Sequence, residues 1–141
     1  MSQPSVGADD AHLREETVAT ETVFQGRLLE VRRDRVRLPD GGEATREFIV
    51  HPGAVMVVPI LDDGRLVMER QWRYPLACVM LEFPAGKVER GEPTLDCAQR
   101  ELFEETGSRA REWALAGVLH NAIGYSSERI EIWFARGLTE G

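Results

Sequence analysis

The chain has 141 residues, 43% apolar and 29% charged, with a formal net charge of −7, the profile of a folded globular domain with room for a core and not of a disordered chain. No apolar run approaches the ~20 residues of a membrane helix, and no basic-then-apolar signal pattern opens the sequence. The acidic balance offers no broad basic face to a nucleic-acid polymer, and Cys78 and Cys97 lack the close pairing of a redox or metal motif. A cytoplasmic protein with reduced thiols is expected.

Residues 1–17 are polar and small without periodicity and read as a mobile tail, leaving 18–141 as a single domain. Extended segments follow at Thr22 to Gln25 and Leu28 to Leu38, where Leu29, Val31, Val36 and Leu38 mix with Arg32, Arg33, Asp34 and Arg35 in partial alternation. Pro39-Asp40-Gly41-Gly42 supplies fixed and positive φ for a reversal, so Thr45 to Val50 returns as the second arm of an N-terminal antiparallel hairpin. Ala54 to Leu61, nearly all apolar, reads as a strand covered on both faces. Asp62-Asp63-Gly64 then turns the chain so that Arg65 to Trp72 becomes its hairpin partner.

Val79 to Phe83 is a further short strand leading into Pro84-Ala85-Gly86. From Thr94 to Thr106, Leu95, Ala98 and Leu102 recur at helical spacing; Pro93 suits the first turn and Gly107 ends the helix. Trp113 to His120 and Ile130 to Arg136 complete the strands. Strands around one central helix predict an α/β architecture, a sheet packed between helices.

The chemistry concentrates between Gly86 and Gly107, where Glu92, Glu101, Glu104, Glu105 and Arg100 stand at fixed spacings beside a loop-to-helix junction. At about 100° per residue, Glu101 and Glu105 lie one turn apart on the same side of the helix, at the edge of its apolar face. Two like charges so placed repel unless a cation neutralises them. Hard oxygen donors without a matching His/Cys set favour Mg2+, with Mn2+ the other candidate. Arg100 can pair with Glu104 at i, i+4 or with Glu92, and Glu104 is open to holding a second ion. Glu92, ahead of the helix, suits the dipole and reads as structural. Solvated i, i+4 pairing alone explains neither the glycines at 86 and 91 nor two acids at like-charge spacing.

This stretch resembles the Nudix box, Gly-x5-Glu-x7-Arg-Glu-apolar-x-Glu-Glu-x-Gly-apolar, departing from it only at Ser108. The resemblance implies the Nudix fold, a mixed sheet between helices (α/β/α), and Mg2+-assisted attack of water on a pyrophosphate. Its catalytic set would be Arg100, Glu101, Glu104 and Glu105, with Glu101, Glu104, Glu105 and the Ala85 carbonyl as metal ligands. The flanks Gly53-Ala54-Val55, Gln71-Trp72-Arg73-Tyr74-Pro75, Leu81 to Lys87 and Gly124-Tyr125-Ser126-Ser127-Glu128 look like the ADP-ribose pyrophosphatase branch.

That branch implies cleavage of ADP-ribose, a nucleoside diphosphate sugar, to AMP and ribose 5-phosphate. By the same match Arg73 would bind a phosphate or ribose, Glu82 would line the site, and Glu128 would contact the terminal ribose or assist at the metal. Arg46 is the candidate for stacking on adenine, against a default of a strand-surface arginine. Arg73 has a plain alternative too, as a surface arginine packed on Trp72. His51 and His120 lack ligand-spaced partners and read as structural or solvent-facing. The resemblance also implies a homodimer paired through N-terminal strands.

Ala122-Ile123-Gly124 departs from the Ser-Pro-Gly usual in the branch. Members also run on past this length with a further loop glutamate and a final helix. Either the chain is part of a longer protein, or Glu128 or a neighbouring acid takes that role. The alternatives in function are another nucleotide substrate, such as a different ADP-sugar, a dinucleoside polyphosphate or a modified triphosphate, and a nucleotide-binding module without catalysis.

Overall fold

The computed structural model describes residues 7–141 and divides into two compact units, Met1–His51 with Ala122–Glu128, and Pro52–Asn121 with Arg129–Gly141. The stretch expected as one domain, 18–141, is thus spread over both. Residues 1–6 of the expected tail lie outside the described part; the rest of it forms a 3-10 turn at Ala8–Leu13 and enters strand β1 (Glu16–Gln25) before Thr17.

In the first unit β1, β2 (Glu30–Arg37) and β3 (Glu43–Val50) form an antiparallel sheet in that order. The β2–β3 reversal falls where expected. Gly41 takes φ 90, Leu38 N–H donates to the Gly42 carbonyl at 2.7 Å, and the Asp40 carboxylate accepts from Gly42 N–H at 2.8 Å. The partial alternation of β2 resolves into a charged row in which Arg33 lies between Glu21 and Glu47 of the flanking strands, at 3.3 and 3.0 Å. Val36, on the opposite face, is buried.

The second unit centres on a mixed sheet ordered β7 (Ala85–Lys87), β4 (Ala54–Ile60), β9 (Ile130–Glu140), β8 (Ser108–Leu119). β4 runs parallel to β9 and antiparallel to β7. Helix α1 (Thr94–Thr106) has the predicted bounds: Gly107 closes it in the left-handed region at φ 71 with its N–H on the Phe103 carbonyl. Cys97, Ala98 and Leu102 of α1 pack on Val55, Val57 and Ala135 in a fully buried cluster, each large side chain contributing about 1.5–3 kcal/mol.

Among the described residues α1 is the one α-helix, and it covers one face of this sheet. Along β4 the residues alternate accordingly: Val55, Val57 and Pro59 are buried, whereas Met56, Val58 and Ile60 are half-buried, so the strand is not enclosed equally on both faces. No helix among the described residues is long and apolar enough to cross a membrane.

One expected pairing is corrected. After the turn at Asp62–Gly64 only the start of the returning segment pairs with β4: Ile60 bridges Leu66, and Val67 N–H donates to the Pro59 carbonyl at 3.0 Å. β5 (Glu69–Arg73) pairs with β6 (Cys78–Glu82) in a separate two-stranded ribbon. β9 lines one side of β4 from Ala54 to Ile60 and β7 takes Ala54–Met56 on the other, which leaves the returning segment only the stretch near Ile60. At the ribbon tip Tyr74–Leu76 makes a 3-10 turn and Ala77 closes it with φ 52, the one non-glycine described residue at positive φ.

Candidate active site

Strand β7 brings Ala85 and Gly86 under the carboxylates of α1. The Ala85 N–H donates to Glu105 Oε2 at 3.0 Å, and the Glu101 carboxylate occupies the space that a Cβ on Gly86 would need. Glycine at 86 is therefore a steric requirement of Glu101, which is itself only 8% exposed. The wall behind both acids is the β4–β7 pairing, Val55 to Gly86 and Met56 to Ala85.

Arg100 organises the outer side. Its Nε and Nη2 grip both oxygens of Glu92 at 2.8 and 3.0 Å, Nη1 donates to Glu101 Oε1 at 2.8 Å and to Glu104 Oε2 at 3.2 Å, and Nη2 also reaches the Lys87 carbonyl at 3.2 Å. The planar fork suits such bidentate work. Both sequence-level partners, Glu92 and Glu104, are thus engaged at once. Fixed by that arginine and by the Glu89 backbone N–H, the Glu92 carboxyl is drawn down to about 2. Burial pushes the Cys97 thiol up to about 12, which leaves it inert as expected.

Glu101 and Glu105 behave in the opposite way. Desolvation raises Glu101 even against the pull of Arg100. Desolvation also raises Glu105 to about 7, opposed by the Ala85 N–H and reinforced by Glu69 and Glu101. Although Glu105 as a whole remains exposed, its carboxylate end is the part held at β7. Both acids favour a positive charge beside them.

Glu69 is a neighbour that the sequence reading passed over. It lies on β5, directly across from Glu82, close enough for its charge to raise the Glu105 carboxyl. Arg73 and Glu82, expected as substrate contacts, face each other on the ribbon as a bidentate pair with distances of 2.7 and 2.5 Å. Glu82 holds Arg73 firmly protonated, and the charges of Glu69 and Glu105 act on the same arginine, so ribbon and helix share one electrostatic neighbourhood. Arg73 itself is exposed, with its guanidinium turned to Glu82.

The remaining candidates, Arg46 and Glu128, belong to the other unit. Arg46 is clamped by Glu15 at 2.9 and 2.6 Å, and Glu128 lies 3.7 Å from His51 Nε2.

The NUDIX domain model matches residues 50–140, and the model of the nucleoside diphosphate sugar hydrolase N-terminal domain matches 15–49. The chain belongs to the Nudix hydrolase family. It is 37% identical over 127 residues to the ADP-ribose pyrophosphatase of Bacillus subtilis (strain 168), covering 90% of this chain and 69% of that protein. Against the methanol dehydrogenase activator of Bacillus methanolicus the identity is 40% over 128 residues, or 89% of this chain and 68% of the relative. A crystal structure of an ADP compounds hydrolase superposes with a TM-score of 0.80 at 31% identity, covering 92% of this chain and 73% of that one. The Nudix fold and the pyrophosphatase class expected from the box hold.

Nudix hydrolases need a divalent cation, and the donors at α1 and β7 fit one. They are oxygens alone, crowded with like charge, and two of the carboxyls are raised. Among the described residues no three Asp, Glu, His or Cys side chains already converge on one point. Glu104, named with Glu101 and Glu105 as a candidate ligand, is exposed and pairs with Arg100, as its i, i+4 spacing offers. A small hard cation that keeps several waters and takes one or two carboxylates together with substrate phosphate does not require a third.

Proposed function

We propose that this Nudix hydrolase splits the pyrophosphate bond of ADP-ribose into AMP and ribose 5-phosphate, with Mg2+ or Mn2+ as cofactor. The observation that carries the reading is the seating of Glu101 on Gly86 and of Glu105 on the Ala85 N–H, two raised carboxyls on one helix edge. The named activity of the Bacillus subtilis relative and the match to a nucleoside diphosphate sugar hydrolase N-terminal domain support the substrate class.

Glu101, Glu105 and the Ala85 carbonyl would hold the cation, with Glu104 the candidate ligand of a second ion. A bound divalent cation supplies neutralisation of the charge that builds on the phosphate oxygens as the anhydride opens. Arg100 keeps Glu92, Glu101 and Glu104 in fixed orientation, so little reorganisation remains when substrate arrives. Arg73, oriented by Glu82, is the phosphate- or ribose-binding cation of the ribbon. Arg46 meets the adenine and Glu128 the terminal ribose.

The free thiols of Cys78 and Cys97 support a cytoplasmic setting. The exposed β1 edge, with Val18, Val23 and Phe24 in solvent, supports a homodimer paired through N-terminal strands. Sedimentation giving monomer alone at working concentration contradicts the dimer.

The test is a substrate panel with Mg2+, comprising ADP-ribose, other ADP-sugars, dinucleoside polyphosphates and modified triphosphates. ADP-ribose is expected to give the highest kcat/KM. Preference for another group overturns the substrate, and tight ADP-ribose binding without turnover of any compound overturns the catalysis.

A further inference from the structure

The loop Ala122–Glu128 is stitched to the end of β3. Ile49 N–H donates to the Tyr125 carbonyl at 2.8 Å, Ser127 N–H donates to the Ile49 carbonyl at 3.0 Å, and Ile49 bridges Ser126 in parallel. The loop also closes on itself, with the N–H groups of Tyr125 and Ser126 on the Ala122 carbonyl and that of Glu128 on Ser126 Oγ at 3.2 Å. His51 adds two further links beyond the strand. Its N–H donates to Ser127 Oγ at 2.9 Å, and its Nε2 faces Glu128 Oε1 at 3.7 Å.

From this geometry we infer that His51 is the positioning residue for Glu128, fixing the carboxylate that, on the reading proposed above, meets the terminal ribose. A separation of 3.7 Å is a contact rather than a hydrogen bond, so the imidazole acts on the carboxylate by proximity, limiting where it can swing. The two side chains are 18% and 22% exposed, so both are confined by their surroundings. Pro52 restricts the backbone of the residue before it to extended conformations, which fixes the direction from which His51 approaches. A free glutamate side chain would lose rotamer freedom on meeting substrate, and one already held loses less.

A double-mutant cycle in ADP-ribose hydrolysis separates positioning from a merely structural role. His51→Ala is expected to raise KM about 3- to 10-fold with kcat little changed, and His51→Gln, which keeps a polar group near the carboxylate, by less. In a Glu128→Ala background the same His51→Ala change is expected to add nothing. Equal KM effects in both backgrounds, or a His51→Ala enzyme with wild-type KM, overturn the inference. Side-chain order of Glu128 by NMR relaxation reads the positioning without substrate and is expected to fall in His51→Ala, while exchange at the Tyr125–Glu128 amides, held by bonds that the substitution keeps, stays at the wild-type rate. Wild-type order of Glu128 in His51→Ala, or quickened exchange showing a loosened loop, overturns the positioning role, whereas a wild type that ignores ADP-ribose overturns the substrate reading and leaves the relaxation result to decide this one.

Discussion

Replacing Gly86 by alanine puts one methyl group where the Glu101 carboxylate lies. Gly86 is not among the glycines at positive φ and sits in regular pairing with Val55, so alanine meets no backbone strain and the contact alone sets the effect. With its nearest atom 2.0 Å from the added Cβ, the carboxylate must retreat by about 1.5–2 Å to reach ordinary van der Waals separation, about 3.5–4.0 Å. It has little room to do so, being 8% exposed and tied to Arg100 at 2.8 Å. Overpacking of this kind destabilises by about 1–3 kcal/mol. A misplacement of about 1 Å at a reacting centre lowers the rate on the order of 10^2-fold.

The assay combines urea unfolding, Mn2+ affinity by electron paramagnetic resonance, and kcat. Gly91→Ala is the control, because Gly91 has φ 75 and nothing within 4 Å of an added Cβ: it should lose about 1–2 kcal/mol through backbone strain and keep more of its rate. A Gly86→Ala enzyme with wild-type Mn2+ affinity and rate would refute the steric link between this glycine and the cation site.

Other outcomes follow from the same geometry. The Glu105 carboxyl is raised from its ordinary value to about 7, so in divalent-free buffer its contribution to stability is fully present below about pH 4.5 and is lost as pH rises through 7; added Mg2+ should recover it on the alkaline side. Thermal melts in EDTA that do not weaken over that window, relative to melts with Mg2+, contradict this. Glu92 has the opposite sign: depressed to about 2, it stabilises above about pH 4.5 and loses that effect as pH falls toward 2, so Glu92→Gln should flatten the acid limb. Arg100→Ala leaves Glu92, Glu101 and Glu104 without their shared donor and should destabilise by about 2–4 kcal/mol in chemical unfolding, with a larger loss at low salt than at high. At the ribbon tip, Ala77→Gly relieves a left-handed alanine and should raise stability by about 0.5–1 kcal/mol without changing kcat.

Helix α1 was legible to the residue because three local signals agree there: apolar spacing, Pro93 before it and Gly107 after it. The β2–β3 hairpin was legible for the same reason, its turn chemistry lying between two extended runs. Strand β7 was not, since three residues containing Gly86 carry no period and are held in place by β4 rather than by their own propensity. The partner of β5 was misjudged because Asp62-Asp63-Gly64 signals a turn but says nothing about how far the returning chain follows β4; past Val67 it leaves that strand and Glu69–Arg73 pairs with β6.

At the site, spacing alone gave the side-by-side placement of Glu101 and Glu105, and Arg100 lay in reach of both acids foreseen for it. Glu69 and His51 carried no comparable signal. Each meets its partner through tertiary folding across a sequence separation of 36 and 77 residues, respectively, and such contacts leave no local pattern.

The most direct test of the account is ADP-ribose turnover followed by chromatography of the products, with Mg2+ titrated, for the wild type and for Glu105→Gln. Cation-dependent release of AMP and ribose 5-phosphate in equal amounts, lost by at least about 10^2-fold in Glu105→Gln, is the result predicted. Turnover that needs no divalent cation, or that survives Glu105→Gln undiminished, would contradict it.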